Sequence, residues 1–343
     1  MRKTAAKLLT AAALATSLVT VASGTALADP TVTPAVADIV GVGSDTTQTV
    51  LTQYSTDYNA TLVASAPHLY SWDATGSASI TPKAGATSIT RPNGSGLGFA
   101  ALTAAGSQVD FARSSSAPAA GTSTAYDYVS FAKDAVTWSA TTTGSNAPAN
   151  LTTADLTKIY DGTYTLWSQI TDIPTYTGPA VTIKPYLPQA GSGTRSFFLK
   201  AIGVTTLGAN VVSGPEENEG TNVALNDPNV IFPYSVGHYI GQVYNGHSVG
   251  TDAAGVLSLR NVNGLVPVNA TTHTINPTFA NPVYGRTLFN VLRDAEYVAT
   301  GTHGDALRAI FGPTGWICTN ATAIADTKSY GFLTLSSCGT IVR

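Results

Sequence analysis

Hydrophobic and polar positions recur at two periods along this chain. In VTIKPYL (181–187) they alternate singly, the period of a strand. In SFFLKAI (196–202), Phe197, Phe198, Ala201 and Ile202 recur at helical spacing, and Gly203 ends the pattern. Further strands are predicted at 37–42 (ADIVGV), 86–90, 109–114 (VDFARS) and 229–240, with one or two more within 128–140. Helices are predicted at 47–58, where Val50, Leu51, Tyr54 and Tyr58 share a face, at 98–106, at 151–162 and around 305–311. In the 151–162 segment Thr152 or Thr153 serves as N-cap and Asp155 lies in the first turn. Strand–helix alternation gives an α/β class with open, mostly parallel sheets. Ligands of such folds sit beyond the carboxyl ends of the strands.

Three strand-to-helix loops share one composition: GVGSDT (41–46), NGSGLG (93–98) and GSGTR (191–195). A helix start carries N–H groups without intrahelical partners, and its dipole favours negative charge. Glycine admits a ligand close to the backbone, and Ser or Thr adds a hydroxyl donor. Together these make an anion site. None of the loops is a Walker P-loop or a full dinucleotide fingerprint, and no G-x-S-x-G elbow occurs. A secreted serine hydrolase or phosphatase built on Ser95 or Ser192 is the alternative, but no obvious histidine partner accompanies either serine.

Composition narrows the choice. The 343 residues suffice for two domains with real cores. With 43% hydrophobic and only 11% charged residues, the surface must be Ser, Thr, Asn and Gly. The net charge of −3 supplies no basic field for nucleic acid. His68, His238, His247, His273 and His303 show no metal-ligand spacing, and His238 and His247 read as surface or packing residues. No metal or cofactor is expected. Arg2, Lys3 and Lys7 precede an apolar stretch from Leu8 to Val21, and Ala26-Leu27-Ala28 follows, the pattern of a signal peptide cleaved after Ala28. An exported protein sits in an oxidising space, where Cys318 and Cys338 are expected to pair.

In this order the loops resemble those of the phosphate-binding proteins of bacterial phosphate ABC transporters (PstS-like). Those proteins carry G-A-G-[AS]-[ST]-F, G-S-[SG]-G, D-F-[GA]-x-[SA] and G-S-G-T-[SRT] motifs. Here they read GVGSDT, NGSGLG, VDFARSSSAP and AGSGTRSFF. LTTADLTKIYDGTYTLWSQI (151–170), FAKDAV (131–136) and NEGTNVALNDPNVIFPYSVGHY (218–239) extend the likeness over nearly the whole chain after residue 28. The resemblance implies a periplasmic-binding-protein-like fold (type II) of two lobes, each a mostly parallel sheet flanked by helices. The lobes would be 29–136 plus 266–343, and 137–265. They would close over one oxyanion, and a membrane permease would receive it from a monomeric receptor with no catalytic chemistry. A cell-surface scavenging or adhesive protein on the same fold is the other alternative.

Position by position, the resemblance places Asp45, Thr46, Ser95, Ser192, Gly193 and Thr194 against the ligand. Two positions depart from the pattern. The arginine preceding G-S-G-T is Pro188 here, which leaves Arg195 or Arg113 to supply the charge. The carboxylate that accepts the phosphate proton is replaced by Ser115 or Ser116, and Asp45 is the expected substitute acceptor.

Overall fold

The computed structural model of the chain describes residues 29–343, so the expected signal peptide lies outside the described residues. Eight strands carry the architecture: β1 (Ile39–Gly43), β2 (Leu69–Ser71), β3 (Phe111–Ser114), β4 (Tyr126–Thr141), β5 (Lys184–Leu187), β6 (Val212–Ser213), β7 (Val230–Ser235) and β8 (Gly285–Arg293). They lie in the order β2-β1-β3-β8-β4-β7-β5-β6, and three short strands also pair with β4. The outer pairs on both sides are parallel, as strand–helix alternation requires. Around β4 and β8 the pairing is antiparallel.

Strand β4 explains the layout. At 16 residues it spans roughly 50 Å at the usual rise per residue. From Tyr126 to Ala135 it pairs with β8, and from Val136 to Ser139 with β7. The cores divide at the same point. One main cluster draws on residues between Ala135 and Tyr284, including Trp138, Trp167 and Phe279. The other draws on Ile39 to Ala132 and Leu288 to Phe332. Each half of the sheet is covered on both faces. Phe111 packs into one cluster and its neighbour Ala112 into another on the opposite face, and Ile231 and Phe232 divide likewise. We call the halves the first and second sides. Ile275, Phe279, Ala280 and Tyr284 pack on the second side, so the chain returns to the first nearer 285 than the expected 266.

Helices α1 (Gln48–Asn59), α2 (Ser95–Thr103), α3 (Thr153–Tyr160), α4 (Gly193–Ala201), α5 (Val236–Tyr244) and α6 (Thr302–Phe311) flank the sheet. Thr152 and Asp155 form a reciprocal capping box on α3. Two helices begin three residues earlier than their apolar spacing indicates. Ser192 caps α4 by accepting a bond from Arg195 N at 3.0 Å, and α2 opens at Ser95 inside its glycine loop. The segment 229–240 is not one strand. Ser235 accepts from His238 N and starts α5, because a cap outweighs a continuing apolar run. Cys318 and Cys338 form a disulfide with a Cα–Cα distance of 5.5 Å. Among the described residues no helix is long and apolar enough to cross a membrane.

Candidate oxyanion site

Parallel pairing of β1 and β3 brings their carboxyl ends together, and a bridge between Gly43 and Asn93 adds the α2 loop. The first side of the site is therefore built from Ser44, Asp45, Thr46, Ser95, Ser115 and Ser116. Ser115 is its knot. Its N–H donates to Ser95 Oγ at 3.0 Å, and its hydroxyl lies 3.1 Å from Ser44 Oγ and 3.2 Å from Ser95 Oγ. The second side brings Ser192, Gly193 and Thr194 at the start of α4. The contact is close: a Cβ on Gly193 would lie 2.3 Å from Ser115 Oγ and 2.5 Å from Ser95 Oγ. Gly94 and Gly191 meet in the same way, with Gly96 N donating to Gly191 O at 3.3 Å. The glycines let two loops touch where side chains would hold them apart.

The donors of both sides converge on one group, the fully buried carboxylate of Glu217. Its Oε1 accepts from Thr46 N and Thr46 Oγ1, both at 3.1 Å. Its Oε2 accepts from Thr194 N at 3.3 Å and from Ser192 Oγ. Because Thr46 Oγ1 gives its proton to Glu217, Thr194 Oγ1 must donate to Thr46 Oγ1 across 3.3 Å. Thr194 Oγ1 in turn accepts from Arg286 Nη2 at 3.0 Å. Hydroxyl protons thus run in one direction, from Arg286 to Glu217.

Arg286 supplies the cation at the seam. It stands directly across from Asp134 in the β8–β4 register and bonds its carboxylate at 2.8 and 3.0 Å. Both side chains are buried. Its Nη1 also donates to Ser115 O at 3.3 Å. Asp134 is further held by Ser235 Oγ and Gly237 N. Arg286 is among the residues that line a cleft of about 990 Å³, together with Ser95, Ser116, Ser192, Phe197 and Phe289.

The expected arginines lie elsewhere. Arg113 is fully buried and donates to Ser44 O, Gly43 O, Trp72 O and Ser71 Oγ, which fixes the end of β1. Burial pushes its guanidinium down to about 10, still cationic at neutral pH. Arg195 donates to Pro188 O in its own loop at 3.0 Å and to Ser213 Oγ on β6 at 2.7 Å. The Ser116 hydroxyl donates to Gly193 O at 3.5 Å, and its N–H donates to Ser114 Oγ at 3.2 Å. Asp45 is buried, and its Oδ1 has no hydrogen-bond partner. Burial first, then the Glu217 and Asp252 carboxylates, holds its carboxyl well above the usual range.

Behind Thr46 lies His238, which the sequence reading placed at the surface or in packing. It is buried, with Nδ1 3.0 Å from Thr46 O and Nε2 2.6 Å from Asp252 Oδ1. Both partners are acceptors, so both ring nitrogens donate. Burial acts to lower its pKa, but the Asp252 carboxylate, Asp45 and the Thr46 carbonyl outweigh it and raise the imidazole to about 10. Sequence reasoning missed Glu217, Arg286, Asp134, His238 and Asp252 as site residues. One signal was present: Asp134, next to Lys133, and Arg286 are opposite charges within largely apolar segments.

Solved structures share this architecture. An ABC-type phosphate transport receptor from Vibrio cholerae is 16% identical, with 87% of this chain and 100% of that chain covered and a TM-score of 0.57. A high-affinity periplasmic phosphate-binding protein bound with phosphate is 17% identical over 88% of this chain and 91% of that one, with a TM-score of 0.52. At such identities the likeness is one of fold. No curated protein matches the sequence. The family model described as a PBP superfamily domain matches residues 28–284, three quarters of the chain, and the protein belongs to that superfamily.

Proposed function

We propose that this chain is an exported solute-binding protein that captures inorganic phosphate, or a similar oxyanion, between its two sides and delivers it to an ABC permease. One observation carries the reading: N–H and hydroxyl donors from both sides, backed by Arg286, converge on a single buried carboxylate. Loops that hold one oxyanion of the chain itself have the chemistry to hold another. Hydrogen bonds to charged groups contribute about 1.5–3 kcal/mol each, and micromolar affinity needs about 8 kcal/mol net. A handful of such donors is sufficient. The proposed ligand donors are Thr46, Ser95, Ser115, Ser192, Gly193 and Thr194, with Arg286 as the cation in place of Arg113 or Arg195. The lobes divide where β4 and β8 cross, near residues 132–135 and 284–288. The hydrolase alternative gains no support, because Ser95 and Ser192 bond Ser115 and Glu217 and no histidine among the described residues.

Calorimetry of residues 29–343 with phosphate, sulfate, arsenate and molybdate tests this. Saturable binding of phosphate is expected. No binding of any of the four overturns the reading.

A further inference from the structure

The carboxylate in the site belongs to the chain. We infer that Glu217 is a built-in competitor: it holds the two sides closed as an internal ligand, and an incoming oxyanion must displace it. This rests on the reading above that the loops form an oxyanion site.

Four observations converge. First, Glu217 accepts from Thr46 on one side and from Ser192 and Thr194 on the other, so a single carboxylate ties the halves together. Second, the donors it takes are backbone N–H groups at helix starts and the loop hydroxyls, the groups an oxyanion would need. Third, its approach is fixed from both flanks. Glu217 N donates to Gln189 Oε1 at 3.0 Å, Asn93 Nδ2 donates to Glu216 Oε2 at 2.8 Å, and Asn218 O accepts from Tyr234 and Gln242. Fourth, the backbone leaves Glu217 through Asn218 at φ 63°, a left-handed conformation that asparagine tolerates better than most residues. A carboxylate that had drifted into the site would not show a hydrogen-bonded loop behind it.

The chemistry of displacement follows. The incoming group must offer at least two oxygens, one toward Thr46 and one toward Ser192 and Thr194, as a tetrahedral oxyanion does. Glu217, once displaced, is a second negative charge beside the ligand and needs water or a new donor. Binding is therefore weaker than the donor set alone would give, and the loop carrying Glu217 swings out as the anion enters.

The test uses Glu217→Ala and Glu217→Gln in residues 29–343, with circular dichroism confirming the fold. Small-angle scattering is recorded after exhaustive dialysis against phosphate-free buffer and again with saturating phosphate. Wild type should be compact in both conditions. Glu217→Ala should be expanded without phosphate and contract with it, and its phosphate dissociation constant should fall at least tenfold. Glu217→Gln, which turns an amide donor toward donors, should behave in the same direction with a smaller gain. The inference is overturned if dialysed wild type is as expanded as Glu217→Ala, or if phosphate binds both equally. A compact wild type and an expanded variant that both ignore phosphate would uphold Glu217 as the closing group while removing phosphate as the ligand.

Discussion

The two sides of the cleft carry different kinds of chemistry. The first side presents hydroxyls and the buried Asp45 carboxyl, with Arg113 behind them, its guanidinium bonded to three carbonyls and a serine. The second side presents a helix start together with charge: Glu217 in the site, and the His238–Asp252 pair behind Thr46. The Arg286–Asp134 pair belongs to neither, because it bridges the strands on which the halves join. The difference teaches that donors alone do not define this site. Hydroxyl loops of similar composition occur on both sides, but the buried charge pairs of the site lie on one side and at the seam.

The largest effect should come from the seam. Arg286→Ala leaves Asp134 buried without its cation, and breaking such a pair costs about 3–5 kcal/mol. Urea denaturation measures it. A loss below about 1 kcal/mol would mean that Ser235 and Gly237 suffice for Asp134 and that the seam carries no special charge.

Next comes the second side. The His238 imidazole is raised from its ordinary value near 6.5 to about 10, so its contribution is fully present below about 6.5 and is lost as pH rises through 10. Asp252 and Asp45 are the acidic groups that act on it, and Glu217 and Glu219 act in turn on Asp45. Wild type should exceed His238→Gln by about 2 kcal/mol at pH 6, with the gap closing toward pH 10. A gap that does not change with pH would make His238 a packing residue.

The smallest effect is expected on the first side. Asp45 ionises less readily folded than unfolded, so it lowers stability as pH climbs above the ordinary carboxyl range. Asp45→Asn should gain about 1 kcal/mol at neutral pH. Competition between phosphate and sulfate at pH 8 shows whether the same change narrows their ratio. An unchanged ratio would leave Asp45 outside selectivity, and a less stable variant would contradict the sign.

Much of this was legible in the sequence for a physical reason. Local patterns set local structure: Val50, Leu51, Tyr54 and Tyr58 mark the buried face of α1, and Thr152 with Asp155 marks a cap. The hydroxyl loops were legible because a helix start has fixed chemical needs. What escaped was pairing at a distance. Arg286 reaches Asp134 across 152 positions, and Glu217 meets Thr46 across 171. Nothing near Arg113 or Arg195 in sequence shows that backbone carbonyls would claim their guanidinium groups. The merged strand and helix at 229–240 failed for a related reason, since an apolar run buried on all sides has no single period.

The interleaving of the chain bears on the order in which it can be made. Synthesis runs from the amino end, and domains tend to fold as they emerge. When residue 284 has appeared, every member of the second main cluster exists, but the first still lacks Leu288, Leu292 and the helical segment up to Phe332. The half begun earlier is finished last. Until β8 arrives, Asp134 has no Arg286 and β3 has an open edge. A nascent chain therefore spends its longest vulnerable interval with the first side unclosed, and a truncation near residue 284 would strand it there.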